Sequence, residues 1–246
     1  MSDFDKKQAD DAYPEGIEHG FWSIARHRIV DRALRNAAQA GLRSVSGHIL
    51  EVGCGPGIVV AALRTRGHCV WGVELGTPTI RAAAAPYVTA GANAQDLAQP
   101  FRHRIETIML LDVIEHIEDD ISFLGSLLSA YPSCRCVLVT VPARYEVWSN
   151  YDEHFNHFRR YTRAMLNRLL EQAHLKPVTT RYFFHSLYLA AWLLNAVGRK
   201  REVALRPPSM LVVQRLIALG LGLEDRLIGS LPIPGLSLLS VASVQP

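Results

Sequence analysis

The chain has 246 residues, of which 49% are hydrophobic and 20% are charged, and its formal net charge is +3. This length suffices for one large α/β domain. The small net charge argues against a nucleic-acid-binding protein, whose basic residues would concentrate on one surface. The polar N-terminus lacks the apolar core of a signal peptide, and no apolar run has the roughly 20 residues of a membrane-spanning helix. We therefore expect a cytoplasmic protein.

The four cysteines are predicted to be small core residues rather than ligands of zinc. Cys54, Cys69, Cys134 and Cys136 lie in or beside predicted buried strands. A zinc site would require a Cys-x-x-Cys pair or a cluster with histidine, and the sequence has neither pattern. Free buried cysteines are typical of a reducing compartment.

The order of the predicted elements indicates an α/β fold. Residues 1–14 are predicted to be a polar tail, and residues 15–246 a single domain that opens with a helix over 16–40. Short apolar segments rich in β-branched residues then alternate with helical segments, which is typical of a doubly wound parallel sheet. The predicted strands are 48–53, 69–74, 88–90, 104–111, 134–141, 178–183 and 236–244. The further predicted helices are 58–66, 78–85, 119–131 and 162–173.

An apolar helical insertion is predicted at 184–234, between the last two strands. The segment 183–198 carries no formal charge, and 210–223 carries only Arg215. Three interpretations remain open: a cap over the active site, a homodimer interface, or peripheral contact with a membrane, with the basic residues 199–201 near anionic headgroups. An apolar cap would fit a lipid-like, prenyl or aromatic substrate.

A glycine loop follows the first predicted strand. Gly53, Gly55 and Gly57 allow the backbone to turn sharply and to approach a ligand closely. A dinucleotide fingerprint would require a further glycine where Ile58 stands. Glu51, just before the loop, would repel a pyrophosphate. The loop therefore argues against a nicotinamide-dependent oxidoreductase.

Acidic residues follow the next two predicted strands. Glu74 ends the second strand, where a carboxylate can accept both hydroxyls of a ribose. Asp96 and Leu97 follow the third strand, where they can contact an adenine. Because the carboxyl ends of parallel strands meet at one edge of a sheet, these residues predict one adenosine site.

Here the sequence resembles a known family. Residues 51–57 resemble the first motif of class I S-adenosylmethionine-dependent methyltransferases, Glu74 matches their ribose-binding acid, and 96–97 resembles their adenine-contacting segment. Residues 111–117 are similar to the fourth-strand motif of small-molecule members. The resemblance implies a Rossmann-like, seven-stranded sheet with the last strand antiparallel, and S-adenosylmethionine as cofactor. The cofactor-binding residues that we predict are Glu51, Gly53, Cys54, Gly55, Gly57, Glu74, Leu75, Asp96, Leu97, Asp112 and Val113. Asn93 lies where the family often has Gly-Asp, and is an alternative to Asp96.

The predicted catalytic residues are His157, His116 and Arg160. The segment 148–162 resembles a bacterial subgroup of these enzymes with the pattern Asp-x(4)-His-x-Arg-Arg-Tyr-Thr, and it is dense in residues that carry function on loops. We expect His157 to act as general base or to orient the nucleophile. Arg159 and Arg160 are expected either to pair with an anionic substrate group or to form salt bridges. The salt-bridge partners would be Glu115, Asp152 or Glu153.

Two further features have alternative interpretations. One is a group of four side chains that resembles the ligand set of methyltransferases that bind a divalent ion: Asp112, Glu115, His116 and His157. Because its first position departs from that set, we predict no metal. The pair Phe21-Trp22 either closes over the site or packs in the core.

The predicted function is methyl transfer from S-adenosylmethionine to a small acceptor, apolar or lipid-like and anionic. The alternatives are a non-catalytic module that binds the cofactor and, less favoured, the oxidoreductase.

Overall fold

A computed structural model describes residues 12–200, 203 and 208–245. Within those residues seven strands form one sheet, in the order β3-β2-β1-β4-β5-β7-β6. The strands are β1 His48–Val52, β2 Val70–Glu74, β3 Val88–Ala90, β4 Ile105–Leu111, β5 Cys136–Pro142, β6 Leu175–Phe183 and β7 Ser237–Val244. The first five strands pair in parallel, whereas β7 lies antiparallel between β5 and β6. The predicted fold class is confirmed.

Helices cover both faces of the sheet. They are α1 Phe21–Gln39, α2 Ile58–Arg64, α3 Gln99–Arg102, α4 Asp120–Ala130, α5 Asn150–His154, α6 Arg163–Gln172, α7 His185–Ala196 and α8 Leu211–Ile228. The predicted helix over 78–85 is wrong. That stretch is non-helical until a short 3-10 helix at Ala85–Tyr87. Its backbone is held by the glycine loop instead, since the N–H of Arg81 donates to the carbonyl of Pro56 at 3.0 Å.

The alternation of side chains along each strand produces two cores. Leu50 and Leu110 point to the face covered by α4 and α6, whereas Ile49 and Met109 point to the face covered by α1, α2 and α8. Both faces of the central strands are therefore buried. The loops that follow the parallel strands lie at their carboxyl ends, which is where open α/β sheets bind ligands.

Helix α8 of the insertion packs along α1. Ala218 and Leu221 are buried in the same core cluster as α1. Asp225, also buried, forms ion pairs with Arg32 of α1 at 2.7 Å and with Arg181 of β6. In the described part of the chain, no helix combines the length and apolar character needed to cross a membrane.

Helix α7 lies beside the segment that follows β5. The side-chain amide of Asn195 donates to the carbonyl of Trp148 at 2.8 Å, and the hydroxyl of Tyr188 donates to Glu146 at 3.0 Å. Upstream of α7, Phe184 packs against Trp22 with ring centroids 4.5 Å apart. Trp22 therefore packs in the core. That the insertion forms a cap over the active site remains a prediction.

Candidate functional site

The glycine loop joins β1 to α2 in a backbone conformation that favours glycine. Gly53, Gly55 and Gly57 have φ of 72°, 51° and 81°. A Cβ at Gly57 would lie 2.5 Å from the Cβ of Ala84, so the loop packs tightly against the chain before β3. The thiol of Cys54 points inward, since a Cβ at Gly72 would lie 2.6 Å from its Sγ. Cys54 therefore offers the site only its backbone.

Glu74 lies beside this loop, where the sequence analysis placed it. Its carboxylate accepts from the backbone N–H of Gly55 at 2.8 Å and of Gly76 at 3.0 Å. These bonds join the end of β2 to the glycine loop and fix the direction of the carboxylate. Each oxygen retains a lone pair that can accept from a ligand hydroxyl.

Glu51 is a buried acid with an unpartnered oxygen. Its Oε2 has no hydrogen-bond partner. Burial, reinforced by the charge of Glu74, raises its pKa from the ordinary 4.5 to about 8, although Arg26 acts in the opposite direction. A buried oxygen of this kind requires a donor, and a cationic ligand group would supply one.

A cavity of about 220 Å³ opens beside the loop, between the ends of β1, β2 and β3. Leu75, Asn93 and Gln95 line it, together with Phe123 of α4. Asn93, the alternative to Asp96, thus reaches the cavity. Asp96 is exposed, and neither it nor Leu97 is among the lining residues. Their adenine contacts remain predictions.

The end of β4 carries an ion pair that the sequence analysis did not anticipate. Asp112, which has a φ of 58°, lies 2.7 Å from Arg26 of α1. Thr140 of β5 donates to the same carboxylate at 3.1 Å. Arg26 thereby places a positive charge among the acids at the strand ends, near Glu51. Val113, the next predicted residue, is buried in the core.

Asp152 is the centre of the segment that follows β5. It is fully buried and lies in α5, where it accepts from the backbone N–H of the N-cap residue Ser149 at 2.9 Å. His157 Nδ1 lies 2.9 Å from one carboxylate oxygen, and Arg160 binds both oxygens, at 2.7 and 3.1 Å. Burial would raise the pKa of Asp152, but the bond with His157 and the charge of Arg160 lower it to about 2. Asp152 therefore stays ionised.

Both arginines of the segment are used within the protein. Arg160 is buried, and its remaining nitrogen donates to the carbonyl of Ala143 at 3.0 Å. Arg159 binds Asp120 at 2.8 Å, a partner that the sequence analysis did not name. These are the salt bridges left open as the alternative to substrate binding. Arg160 positions Asp152, and a direct contact with substrate remains a prediction for it.

His157 faces His116 and Glu115. The two imidazole rings are 4.7 Å apart, edge to face. Burial, with the charge of His157, lowers the pKa of His116 to about 4, which keeps its ring neutral. Glu115 is fully buried, neither of its carboxylate oxygens has a hydrogen-bond partner, and burial raises its pKa well above the ordinary range.

The same three side chains could ligate a metal. Among the described residues, Glu115, His116 and His157 each offer a ligand atom, and these atoms lie within 4.8 Å of one another. Histidine with carboxylate oxygen suits several divalent ions. The absence of a metal remains a prediction.

Two tyrosines complete the site, and the sequence analysis assigned neither of them. A Cβ at Gly55 would lie 3.1 Å from the ring of Tyr13, so this ring covers the glycine loop. Arg81 holds that stretch by donating to the carbonyls of Tyr13 and Pro14, at 3.1 and 2.8 Å. Residues 12–14, expected in the tail, thus contact the domain. For Tyr151, burial together with the charges of Asp112 and Asp152 raises the pKa to about 12.

Known proteins share parts of this sequence. The curated ubiquinone biosynthesis O-methyltransferase of Pseudomonas syringae pv. tomato is 29% identical over 83 residues, which are 31% of this chain and 36% of that protein. The Paracidovorax citrulli enzyme of the same name is 29% identical over 120 residues, or 43% of this chain and 50% of that protein. The chain therefore spans between about a third and a half of these relatives.

Solved structures share the fold. The magnesium protoporphyrin IX methyltransferase of Synechocystis PCC 6803, with bound S-adenosylhomocysteine (SAH), has a TM-score of 0.52 at 11% identity, covering 91% of this chain and 85% of that one. The plantazolicin methyltransferase, in complex with a triazolic desmethylPZN analog and SAH, has a TM-score of 0.53 at 15% identity, covering 97% of this chain and 88% of that one. At such identities the likeness concerns the fold alone.

A family model described as a methyltransferase domain matches residues 21–180. That range extends from α1 into β6 and contains the glycine loop, Glu74 and the Asp152–His157 pair. The chain therefore belongs to the methyltransferase-domain family.

Proposed function

We propose that this protein is an S-adenosylmethionine-dependent O-methyltransferase that acts on a hydroxyl group of a small apolar acceptor. The observation that carries the proposal is the hydrogen bond between Asp152 and His157 at 2.9 Å, near the carboxyl ends of β4 and β5. The family match disfavours the oxidoreductase.

The cofactor site fits an adenosine that carries a cationic amino acid. The positive-φ glycines give close access to the backbone, the cavity offers apolar and amide contacts for a base, and Glu51 has an oxygen without a donor. When bound, S-adenosylmethionine supplies an electrophilic methyl group. What the protein must add is alignment of the acceptor and a place for its proton.

His157 is arranged to take that proton. Because ionised Asp152 can only accept, it holds the proton on His157 Nδ1 and leaves Nε2 as the basic nitrogen. Arg160 keeps Asp152 in place from the other side. Carboxylate–imidazole pairs act as general bases elsewhere by the same logic.

The acceptor is proposed to be an uncharged phenol or catechol. Oxygen is favoured as the acceptor atom because a hydroxyl must lose a proton on methylation, which His157 can accept. The matched relatives also carry the name O-methyltransferase. The sequence suggested an anionic group on the acceptor that would pair with Arg159 or Arg160. Because these arginines are paired with Asp120 and Asp152, we propose an acceptor without that group. An apolar acceptor agrees with the apolar helix α7 next to the 145–148 segment.

The test is methyl transfer from radiolabelled S-adenosylmethionine to catechols with and without a prenyl chain. His157→Ala should lower kcat by about 100- to 10,000-fold, as expected for loss of a general base, with cofactor affinity unchanged. Raising the pH should restore part of the rate, because solvent hydroxide replaces the base. His103→Ala, an exposed histidine after α3, is the matched control. Wild-type activity in His157→Ala would contradict the proposal.

A further inference from the structure

We propose that the outer face of α7 and α8 docks on a membrane surface rich in anionic lipid. This surface, the α7–α8 surface, comprises the exposed apolar side chains of the two helices together with the cations beside them. Its docking does not depend on the reaction that the protein catalyses.

Apolar side chains on this surface are exposed to an extent that is unusual for a helix facing water. Surface helices of globular proteins turn polar residues outward, and large exposed apolar patches mark interaction sites. Here the outward positions are mostly leucine, valine and tryptophan. On α7, Trp192 is 47% and Leu193 57% exposed, and Val197, directly after the helix, is 69% exposed. On α8, Val212, Leu216 and Leu227 are 70%, 61% and 68% exposed.

The acidic side chains of this surface form contacts within the protein, whereas its basic side chains face solvent. Helix α7 has no formal charge, and the acids of α8 are used internally: Asp225 binds Arg32 and Arg181. Glu224 accepts from the first backbone N–H groups of α7, those of His185 and Ser186, at 2.7 and 3.0 Å.

The cations, by contrast, point outward. Arg215 and Arg226 of α8 are exposed, as are Arg199 and Lys200 after α7. On α7, α8 and residues 199–200, the two described acids are therefore occupied by contacts within the protein, whereas the basic groups face solvent. Basic residues near an anionic bilayer are attracted to its surface.

This combination favours a lipid surface over a second copy of the chain. In a twofold dimer the same cations would meet one another, which opposes association. Helices that present leucine and tryptophan with flanking arginine and lysine lie in the plane of the bilayer interface. Trp192 suits that boundary because its ring is apolar and its N–H is polar.

Docking would place the entrance to the site near the bilayer. Asn195 of α7 binds the carbonyl of Trp148, just before the helix that carries Asp152. An acceptor dissolved in the membrane would then reach the site without crossing water. This consequence rests on the proposed function, whereas the docking itself does not.

Co-sedimentation with vesicles tests the proposal. The pelleted fraction of the full chain should be at least about fivefold larger with vesicles that contain phosphatidylglycerol than with vesicles of pure phosphatidylcholine. Salt should weaken the binding. Leu193→Ser/Val212→Ser and Arg199→Ala/Lys200→Ala should each reduce pelleting about fivefold or more. The matched controls are Val45→Ser and Arg135→Ala/Lys176→Ala, which change exposed residues outside the surface.

Three outcomes would overturn the proposal. They are a protein that stays in the supernatant with anionic vesicles, equal pelleting of the surface variants and their controls, and a concentration-dependent dimer that Leu193→Ser/Val212→Ser abolishes. Methyl transfer to a water-soluble catechol should be unchanged in the surface variants. That readout separates docking from catalysis, since docking can fail while the proposed reaction stands.

Discussion

Substitution of Glu51 by glutamine is predicted to stabilise the protein at alkaline pH. Glu51 is buried, and its pKa is raised from 4.5 to about 8. In the unfolded chain this carboxyl loses its proton near the ordinary value, whereas the folded protein holds it until about pH 8. The stability that Glu51 contributes is therefore fully present below the unfolded pKa and is lost as the pH rises through the folded pKa. Glutamine has nearly the same shape and cannot ionise.

The magnitude follows from the pKa change. One unit of pKa corresponds to about 1.4 kcal/mol, so the rise from 4.5 to about 8 sets an upper bound of about 5 kcal/mol on the stability lost between these two pH values. Near pH 5 the variant and the wild type should have similar free energies of unfolding. Near pH 9 the variant should be more stable by up to that bound.

Urea denaturation at about pH 5 and about pH 9, without ligand, measures this difference. Glu171→Gln, at an exposed position of α6, is the control and should follow the wild type at both pH values. Glu51→Gln should also bind S-adenosylmethionine more weakly, because glutamine cannot ionise to pair with the cationic group of the ligand. If Glu51→Gln and wild type lose stability in parallel, the assignment of Glu51 as a buried acid with a raised pKa is refuted.

Three further predictions concern the site. Asp152→Asn should destabilise the fold by about 3–5 kcal/mol in urea denaturation, because it breaks a buried ion pair. It should also lower kcat. Glu153→Gln, on the same helix, should change neither the stability nor kcat. Gly57→Ala should lower the denaturation midpoint, since its Cβ would lie 2.5 Å from that of Ala84 at a φ of 81°; an unchanged midpoint would contradict the packing. A chelator should leave methyl transfer intact, because the Asp152–His157 bond provides a base without an ion; a loss reversed by Mg²⁺ or Mn²⁺ would assign the Glu115–His116–His157 group to a metal.

Local pattern predicted most of the fold. Short β-branched runs and helical periodicity are properties of adjacent residues, so the strands and most helices lie within a few residues of the predicted bounds. The short helices α3 and α5 were not predicted. The helix wrongly predicted over 78–85 is replaced by a stretch held by a bond between Arg81 and Pro56, which belong to different elements. Propensity alone carries no information about such tertiary contacts.

The residues of the candidate site likewise fall into those that local sequence patterns predicted and those that depend on tertiary contacts. The glycine loop and Glu74 could be found because their spacing is short or follows strand ends, and Asp152 and His157 stand in one motif. Arg26 reaches Asp112 from α1, and Tyr13 reaches Gly55 from a segment that reads as tail. Neither contact has a sequence spacing that predicts it. The partner of Arg159 was missed for the same reason, since Asp120 lies on α4.

Calorimetric titration of S-adenosylmethionine, SAH and NAD into the protein shows which cofactor its site binds. Both sulfur nucleosides should bind with a stoichiometry near one, and NAD should not bind. Glu74→Ala should weaken binding by about 1–3 kcal/mol through lost charge-assisted bonds. Binding of NAD, with neither sulfur nucleoside bound, would contradict the proposed function.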